Sequence, residues 1–162
     1  MKKLSYQTLR EQNYDGYLLP EAPERVLQFG EGNFLRAFVD YFIDILNEKT
    51  GFQSKVVLCQ PIAPGLADLI NEQEGLYTLY LRGFQNGQKV NQKRVISCVS
   101  RCLNPYKDYE EVLACAENPD LRYIACKYHR SRNRPTILPA SHRFSCFQHI
   151  QQSSHSSYTV DS

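Results

Sequence analysis

The chain has 162 residues, of which 42% are hydrophobic and 22% are charged, a composition typical of a globular domain with a core. No apolar run reaches the roughly 18 residues that a membrane-spanning helix needs, and the first residues lack the apolar block of a secretory signal. The composition therefore argues against a membrane protein. We expect a cytoplasmic protein whose six cysteines are reduced thiols.

The charge is unevenly distributed along the chain. Residues 1–126 contain 14 Lys and Arg against 16 Asp and Glu, whereas residues 127–162 contain 5 against 1 and all four histidines. This break, together with the periodicity described below, predicts three regions. They are an N-terminal surface arm over residues 1–23, a folded domain over residues 24–126 and a disordered tail over residues 127–162.

The folded region begins with a strand, a glycine turn and a helix. Residues 25–29 form a short apolar run that predicts a buried strand, and Gly30 and Gly32 predict the turn that ends it. A helix is then predicted up to Gly51, because apolar residues recur at helical spacing. These residues are Phe34, Leu35, Phe38, Phe42, Ile45 and Leu46. Residues 55–61 predict a second buried strand, so the segment is a parallel βαβ unit.

The next segment predicts a hairpin, a helix and a strand. Residues 76–100 read as two alternating strands around Asn86-Gly87, a sequence typical of a tight hairpin turn. The following helix is expected to take Asn104 as its cap and Pro105 in its first turn. Residues 121–126 predict a third buried strand. The chain therefore has the α/β pattern of an incomplete parallel domain with a β-hairpin insertion.

The glycine turn suits the binding of a phosphate. A strand that enters a helix through glycines directs backbone N–H groups and the helix dipole at one point. Gly30 permits a positive φ, and the missing Cβ of Gly32 allows a phosphate to approach the backbone closely. However, Leu35 stands where the usual dinucleotide-binding fingerprint has its third glycine. The pattern alone supports a nucleotide site and a merely structural turn about equally.

The wider phrase FGEGNFLRAF resembles the Gly-x-Gly-x-Phe-x-Arg-Ala signature of the polyol-specific, mannitol-dehydrogenase-type long-chain dehydrogenases. The resemblance continues through GLYTLYLRG, SRCLNPYKDYEE and NPDLRYI, and within the family it is strongest to members that act on the sugar acids of hexuronate breakdown. It implies an incomplete Rossmann-like NAD-binding domain with the hairpin as an insertion. The cofactor loop that it implies consists of Val26, Leu27, Gln28, Phe29, Gly30, Glu31, Gly32, Asn33, Phe34, Leu35, Arg36 and Ala37.

The same resemblance limits what is expected of catalysis. Members of this family carry their catalytic lysine, asparagine and histidine in a second, helical domain, and no residue of this chain matches that motif. We therefore predict NAD(H) as the ligand, a sugar-acid substrate only for the full-length enzyme, and no catalytic residue here. Gln60 follows the second strand, where many dinucleotide-binding domains place an acidic residue, and it could hydrogen-bond a ribose.

The tail has two competing explanations. The family continues after the third strand with Asn-Thr-Thr-Glu-Ala-Gly-Ile, and an allowed codon set for residues 127–134 encodes that phrase when it is read from its second base. This match predicts a truncated or frameshifted chain after about Cys126, which sequencing of the locus would test. The alternative is a non-catalytic nucleotide-binding module whose basic tail binds a metal or a nucleic acid. The candidate ligands are His142, Cys146, His149 and His155. Their spacing matches no zinc module, so we predict no metal site, no nucleic-acid partner and no membrane contact.

Overall fold

The computed structural model describes residues 3–85 and 87–126. Its helices are α1 (Tyr6–Glu11), α2 (Asn33–Leu35), α3 (Tyr41–Thr50), α4 (Ala67–Glu72) and α5 (Tyr109–Glu117), and a π-helical turn, Arg36–Asp40, joins α2 to α3. Its strands are β1 (Glu24–Phe29), β2 (Lys55–Cys59), β3 (Tyr77–Gln85), β4 (Gln88–Ile96), β5 (Val99–Leu103) and β6 (Tyr123–Cys126). Within the described ranges, no helix combines the length and the apolar character needed to cross a membrane.

A four-stranded parallel sheet, in the order β5-β2-β1-β6, organises the domain. The predicted βαβ unit is confirmed, since β1 pairs in parallel with β2 and the helical segment from α2 to α3 connects them. The chain then crosses to the other side of β1 to form β6, which also pairs in parallel. This reversal of strand order between β1 and β6 is the topological switch point at which α/β sheets generally bind their ligands. The fold is that of an α/β, Rossmann-like domain.

The sheet is covered on both faces by separate hydrophobic clusters. On one face, Val26 and Val56 pack with Ile43 of α3 and Ile70 of α4. On the other face, Leu27 packs with residues of α5 and neighbouring strands. Successive residues of a strand point to opposite faces, so a strand that is apolar at consecutive positions is buried on both sides. This explains why the short runs of valine and leucine in β1 and β2 form the centre of the domain.

The predicted hairpin is confirmed, but the strand that follows it was missed. β3 and β4 pair antiparallel from Tyr77 opposite Ile96 to the turn, where Gly87 has a φ of 77°. The sequence prediction ran the second strand on to residue 100, whereas β5 is a separate strand beside β2. Tertiary hydrogen bonds cause the break, because Ser97 N donates to Asp44 Oδ1 at 2.9 Å and Val56 N donates to the Cys98 carbonyl at 2.8 Å. Local sequence carries no sign of either bond.

The helix α5 begins later than predicted. Asp108 rather than Asn104 precedes its first residue. Asn104 instead closes a turn, since its carbonyl accepts from the backbone N–H of Lys107 at 2.8 Å and of Asp108 at 2.7 Å. Its side chain also accepts from Tyr106 N at 3.1 Å. The prediction of Asn104 as the helix cap is therefore wrong, because asparagine stabilises such turns by the same bonds with which it caps helices.

Strand β6 is exposed rather than buried. Tyr123 is 55% exposed and Ile124 is 41% exposed. Among the described strands, β6 pairs with β1 and lies at the edge of the sheet. The prediction of a third buried strand is wrong in this respect, because apolar composition shows that a segment can be buried but not whether another element covers it.

The N-terminal residues form more than a surface arm. They include α1, whose first turn is capped by Ser5. Leu9 and Leu19 are 5% and 7% exposed, and Leu9 packs against Leu76 and Val95 at the base of the hairpin. The predicted tail over residues 127–162 lies outside the described residues, and so do its candidate ligands and the proposed change of reading frame.

The helical segment after the glycine turn presents the opposite face from the one that its sequence predicts. Four of its apolar side chains are about half exposed, whereas three polar side chains are buried against the rest of the domain. The exposed residues are Phe34, Phe38, Phe42 and Leu46, and the buried polar residues are Asp40, Asp44 and Asn47. Leu35 does face inward, as the helical spacing predicts, whereas the predicted Ile45 is only partly buried and Ile43, which the spacing did not include, is buried.

Candidate functional site

The glycine turn at the end of β1 is held tightly at Gly30. Its φ is 122°, a region that L side chains rarely adopt, and its backbone N–H donates to the Cys59 carbonyl at 2.8 Å. A Cβ at this position would lie 2.9 Å from Cδ1 of Leu35. Leu35 is buried and packs directly over the turn. It therefore brings helix and strand together from the helix side, where the usual fingerprint uses a third glycine.

The second glycine of the turn is in a different situation. Gly32 has a φ of −68°, which any residue can adopt, and a Cβ added to it would meet nothing within 4 Å. Neither strain nor a protein neighbour requires glycine here. The missing side chain leaves open space directly above the backbone.

The start of the helix faces that space without a side-chain cap. Gly32 has no side chain to cap the helix, although its carbonyl accepts from Arg36 N at 3.2 Å, and the helical segment runs from Asn33 through the π turn to Thr50. The first amides of a helix have no acceptor within it and carry the positive end of its dipole. Open space beside such amides suits a phosphate group.

Arg36 ties the turn together. Its Nε donates to the Glu31 carbonyl at 2.8 Å, and one of its terminal nitrogens donates to Asn33 Oδ1 at 2.7 Å. The guanidinium also lies 5.2 Å from the centre of the Tyr77 ring. These contacts hold the loop in one shape and place a positive charge beside it, which favours an anionic ligand.

A cluster of buried polar side chains holds the same loop in place on its inner side. The Tyr77 hydroxyl donates to the Arg36 carbonyl at 2.8 Å and lies 3.2 Å from Oδ2 of Asp40. Asp40 is fully buried, and its desolvation raises the pKa of this carboxyl to about 7. Nearby, Gln28 Nε2 donates to the Gly30 carbonyl at 3.1 Å. Within the described part of the chain, Oε1 of Gln28 and Oδ1 of Asp40 have no hydrogen-bond partner. The group thus links β1, the turn, the helix and β3.

Gln60 does not have the role that the sequence allowed. It is 1% exposed, and its Nε2 donates to the carbonyls of Ile62 and Ala63 at 2.6 and 2.8 Å. Its Oε1 accepts from Ala67 N at 3.0 Å. The amide is fully used in closing the loop after β2, so the expectation that it could hydrogen-bond a ribose is not met in this conformation.

The predicted loop residues form one contiguous strand, turn and helix start at the switch point of the sheet, where Phe29 pairs with Cys126. These loop residues fall into a buried set and an exposed set. The side chains of Val26, Leu27, Gln28, Glu31 and Leu35 are buried and support the loop. The exposed positions are Gly32, Asn33, Phe34 and Ala37.

Sequence reasoning missed Tyr77 and Asp40 as supports of the loop. The sequence patterns gave neither residue a role in the loop. Their contact joins residues 37 positions apart and has no local signature. Among the described residues, no cluster of metal-ligating side chains is present. The five described cysteines are free thiols, four of them buried.

Comparison with known proteins agrees with the fold and with the resemblance of the glycine turn. Residues 24–137 match the family described as the mannitol dehydrogenase Rossmann domain. The chain is 50% identical over 104 residues to an altronate oxidoreductase of Phocaeicola vulgatus, covering 64% of this chain and 22% of that protein. It is 42% identical over 125 residues to an altronate oxidoreductase of Halalkalibacterium halodurans, covering 76% of this chain and 24% of that protein. The chain thus spans about a quarter of the length of these relatives.

The fold is also similar to that of solved structures. One is the ternary complex of Pseudomonas fluorescens mannitol 2-dehydrogenase with NAD and D-mannitol, with a TM-score of 0.67 and 22% identity, covering 78% of this chain and 26% of that one. Another is a substrate-free D-sorbitol dehydrogenase, with a TM-score of 0.59 and 21% identity, covering 76% of this chain and 26% of that one. These likenesses establish the architecture.

Proposed function

We infer the function from one premise: this chain belongs to the family of mannitol dehydrogenase Rossmann domains. On that premise its glycine turn is a cofactor loop, and the chain binds NAD(H) through residues 26–37. The observation that carries the proposal is the open space above Gly32 beside the uncapped start of a long helical segment.

The exposed part of the loop accounts for the binding. The pyrophosphate of NAD(H) fits over Gly32, where amides of the first helical turn donate to it and the missing Cβ leaves room. Arg36 holds the loop in shape through Glu31 and Asn33, and Leu35 packs over Gly30. The bound nicotinamide supplies the hydride chemistry, while the residues of this chain bind and orient the dinucleotide.

The full-length protein is proposed to be an altronate oxidoreductase, also called tagaturonate reductase. The relatives of this name share 42–50% identity with the chain. The reaction is the NADH-dependent reduction of D-tagaturonate to D-altronate in hexuronate breakdown, in the cytoplasm. No catalytic residue is assigned to this chain, so we expect it to bind the dinucleotide without turning over the sugar acid by itself.

A titration of the full chain with NADH tests the proposal. We expect a saturable change in NADH fluorescence, together with a rise of the thermal midpoint, because a ligand that binds only the folded state stabilises it. Millimolar NADH without either response would exclude a working site. The same samples, supplied with NADH and D-tagaturonate, should show no oxidation of NADH at 340 nm. Measurable turnover would contradict the assignment of catalysis to a part of the enzyme outside this chain.

A further inference from the structure

The outer face of the helical segment after the glycine turn carries a continuous apolar surface, here called the aromatic stripe. It consists of Phe34, Phe38, Phe42 and Leu46, which are 55%, 52%, 50% and 44% exposed. The rings of Phe34 and Phe38 stack with their centres 5.6 Å apart, and those of Phe38 and Phe42 meet edge-on at 5.0 Å. A π turn holds more residues than an α turn, so the turn at Arg36–Asp40 keeps side chains spaced by four on one line.

The exposure of the stripe is imposed by the opposite face of the helix. Asp44, which is fully buried, accepts from Arg94 at 2.5 Å and from Ser97 N at 2.9 Å. Asn47 exchanges two hydrogen bonds of 2.9 Å with the backbone of Ser54. A rotation that buried the phenylalanines would break these bonds. The domain therefore holds the stripe outward, at the cost of placing polar groups inside.

The size of the stripe restricts what can cover it. If each side chain contributes about 200 Å² when fully exposed, the four leave roughly 400 Å² of apolar surface in solvent. A patch of this size on a monomer is often functional. It is about half of the roughly 800 Å² per partner that a stable complex of separate proteins buries. A tethered body needs less area, because it does not lose the translational and rotational freedom of a separate partner.

We propose that the aromatic stripe is the docking surface for the part of the full-length polypeptide that the relatives carry beyond the matched segment. That part makes up more than three quarters of each relative, since the matched segment covers 22–24% of it. The stripe begins two residues after Gly32, so a body seated on it also borders the cofactor loop. The stripe itself carries no charged side chain, so the docked surface is apolar. The inference rests on the proposed function in treating the chain as part of a longer dehydrogenase.

Hydroxyl-radical footprinting tests the proposal without a mutation. The samples are the full chain and a full-length chimera, in which residues 24–126 replace the matched segment of the Phocaeicola vulgatus protein. We expect oxidation of Phe38 and Phe42 to be at least about fivefold slower in the chimera. Phe84, which is 81% exposed on the hairpin, is the internal control and should change little. Equal oxidation of the stripe in both samples would overturn the proposal.

Two further measurements cover the other outcomes. If the stripe is already protected in the chain alone, and dilution removes that protection, a second copy covers it and the proposal is wrong. If the chimera does not fold, the native Phocaeicola vulgatus protein is footprinted at the helix aligned with residues 33–50, where slow oxidation of its outward side chains is expected and fast oxidation overturns the proposal. An NADH titration of each sample separates this result from the cofactor claim.

Discussion

At Gly30 the backbone has a φ of 122°, and an added Cβ would lie 2.9 Å from Cδ1 of Leu35. Two residues later, Gly32 has an ordinary φ and no neighbour within 4 Å of an added Cβ. Glycine at the first position is required by the fold itself. Glycine at the second has no structural reason within the described chain, which supports the proposed binding of a phosphate there. We therefore assign Gly30 to the stability of the turn and Gly32 to the proposed binding of the ligand.

Substitution of the two glycines checks this separation. Gly30→Ala should destabilise the domain by about 1–3 kcal/mol, because it forces a side chain into a strained φ and against Leu35. Gly32→Ala should change the free energy of unfolding by less than about 0.5 kcal/mol and weaken NADH binding at least about tenfold. Urea unfolding and NADH titration give both quantities. If Gly32→Ala binds NADH like the wild type, the phosphate does not lie over this glycine.

The buried carboxyl of Asp40 should make stability depend on pH. Its folded pKa is about 7, whereas the ordinary value is 3.8, so between these values the folded state holds a proton that the unfolded state releases. Stability therefore falls as pH rises from about 4 to about 7, and remains low above that. Asp40→Asn carries no charge, so at about pH 8 it should be more stable than the wild type by up to ~4 kcal/mol. Near pH 4 the two should be similar.

Urea unfolding at several pH values, from about 4 to about 8, tests the role of Asp40. The matched control is Asp44→Asn on the same helix, because Asp44 is equally buried but pairs with Arg94. This control should be less stable than the wild type at neutral pH and should not remove the loss of stability between about pH 4 and 7. Parallel pH curves for wild type and Asp40→Asn would show that the Asp40 carboxyl does not titrate in this range.

At the scale of elements, α3 is oriented by polar rather than apolar contacts. Arg94 of β4 reaches both Asp44 at 2.5 Å and Glu48 at 2.7 Å on successive turns of the helix. Ser97, between β4 and β5, donates its backbone N–H to the other oxygen of Asp44. The hairpin base and the helix are thus joined through one carboxylate. Because this carboxylate is buried, it needs a cation beside it, since a buried charge without a partner costs much stability.

Substitution of Arg94 tests whether its pairing with Asp44 stabilises the domain. Arg94→Met keeps most of the apolar stem and removes the charge, which leaves Asp44 buried without its cation, so we expect a loss of about 3 kcal/mol. Arg82→Met, on the exposed part of the hairpin, is the matched control. Arg82 contacts the ring of Tyr80 at 5.5 Å, and its loss should cost less than about 1 kcal/mol. Equal effects of the two substitutions in urea unfolding would contradict the proposed orientation of α3.

At the scale of the whole molecule, the described residues form a sheet whose centre is much better covered than its rims. Val56, Leu58 and Leu27 are fully buried. By contrast, Tyr123 on β6 is half exposed, and Phe84 near the hairpin turn is 81% exposed. The proposed cofactor loop lies at the carboxyl end of β1, one of the two central strands. The most strongly packed part of the domain would therefore position the proposed binding site.

Amide hydrogen exchange should follow this gradient. The amides of β1 and β2 are expected to exchange slowest, through global unfolding, whereas those near the hairpin turn and along β6 should exchange much faster, through local opening. Exchange of the full chain followed by NMR gives the free energy of opening for each amide. Protection of β6 equal to that of β2 would show that the edge strand is covered in solution, which the described residues do not provide.

The local elements of this protein can be predicted from its sequence. Alternating or continuous apolar runs predicted β1, β2 and the hairpin, and the glycines predicted the turn and the helix after it, because these signals act between residues close in the chain. The phrase FGEGNFLRAF also led to the family, which the match over residues 24–137 confirms. The assignment of residues 26–37 as the cofactor-binding residues stays a prediction for the NADH titration.

Which faces are covered, and where elements are interrupted, depends on contacts between segments that are distant in the chain. The helix that places Phe38 and Phe42 outward looks like an ordinary amphipathic helix in sequence. Its orientation follows from Arg94 and Ser97, about fifty residues away, which pair with Asp44. The pairing of β5 with β2 and the contact of Tyr77 with Asp40 likewise join residues far apart in the chain, so the sequence patterns did not predict them. Burial and hydrogen-bond partnership depend on which segments meet in space, and periodicity in a single segment carries no information about its partner.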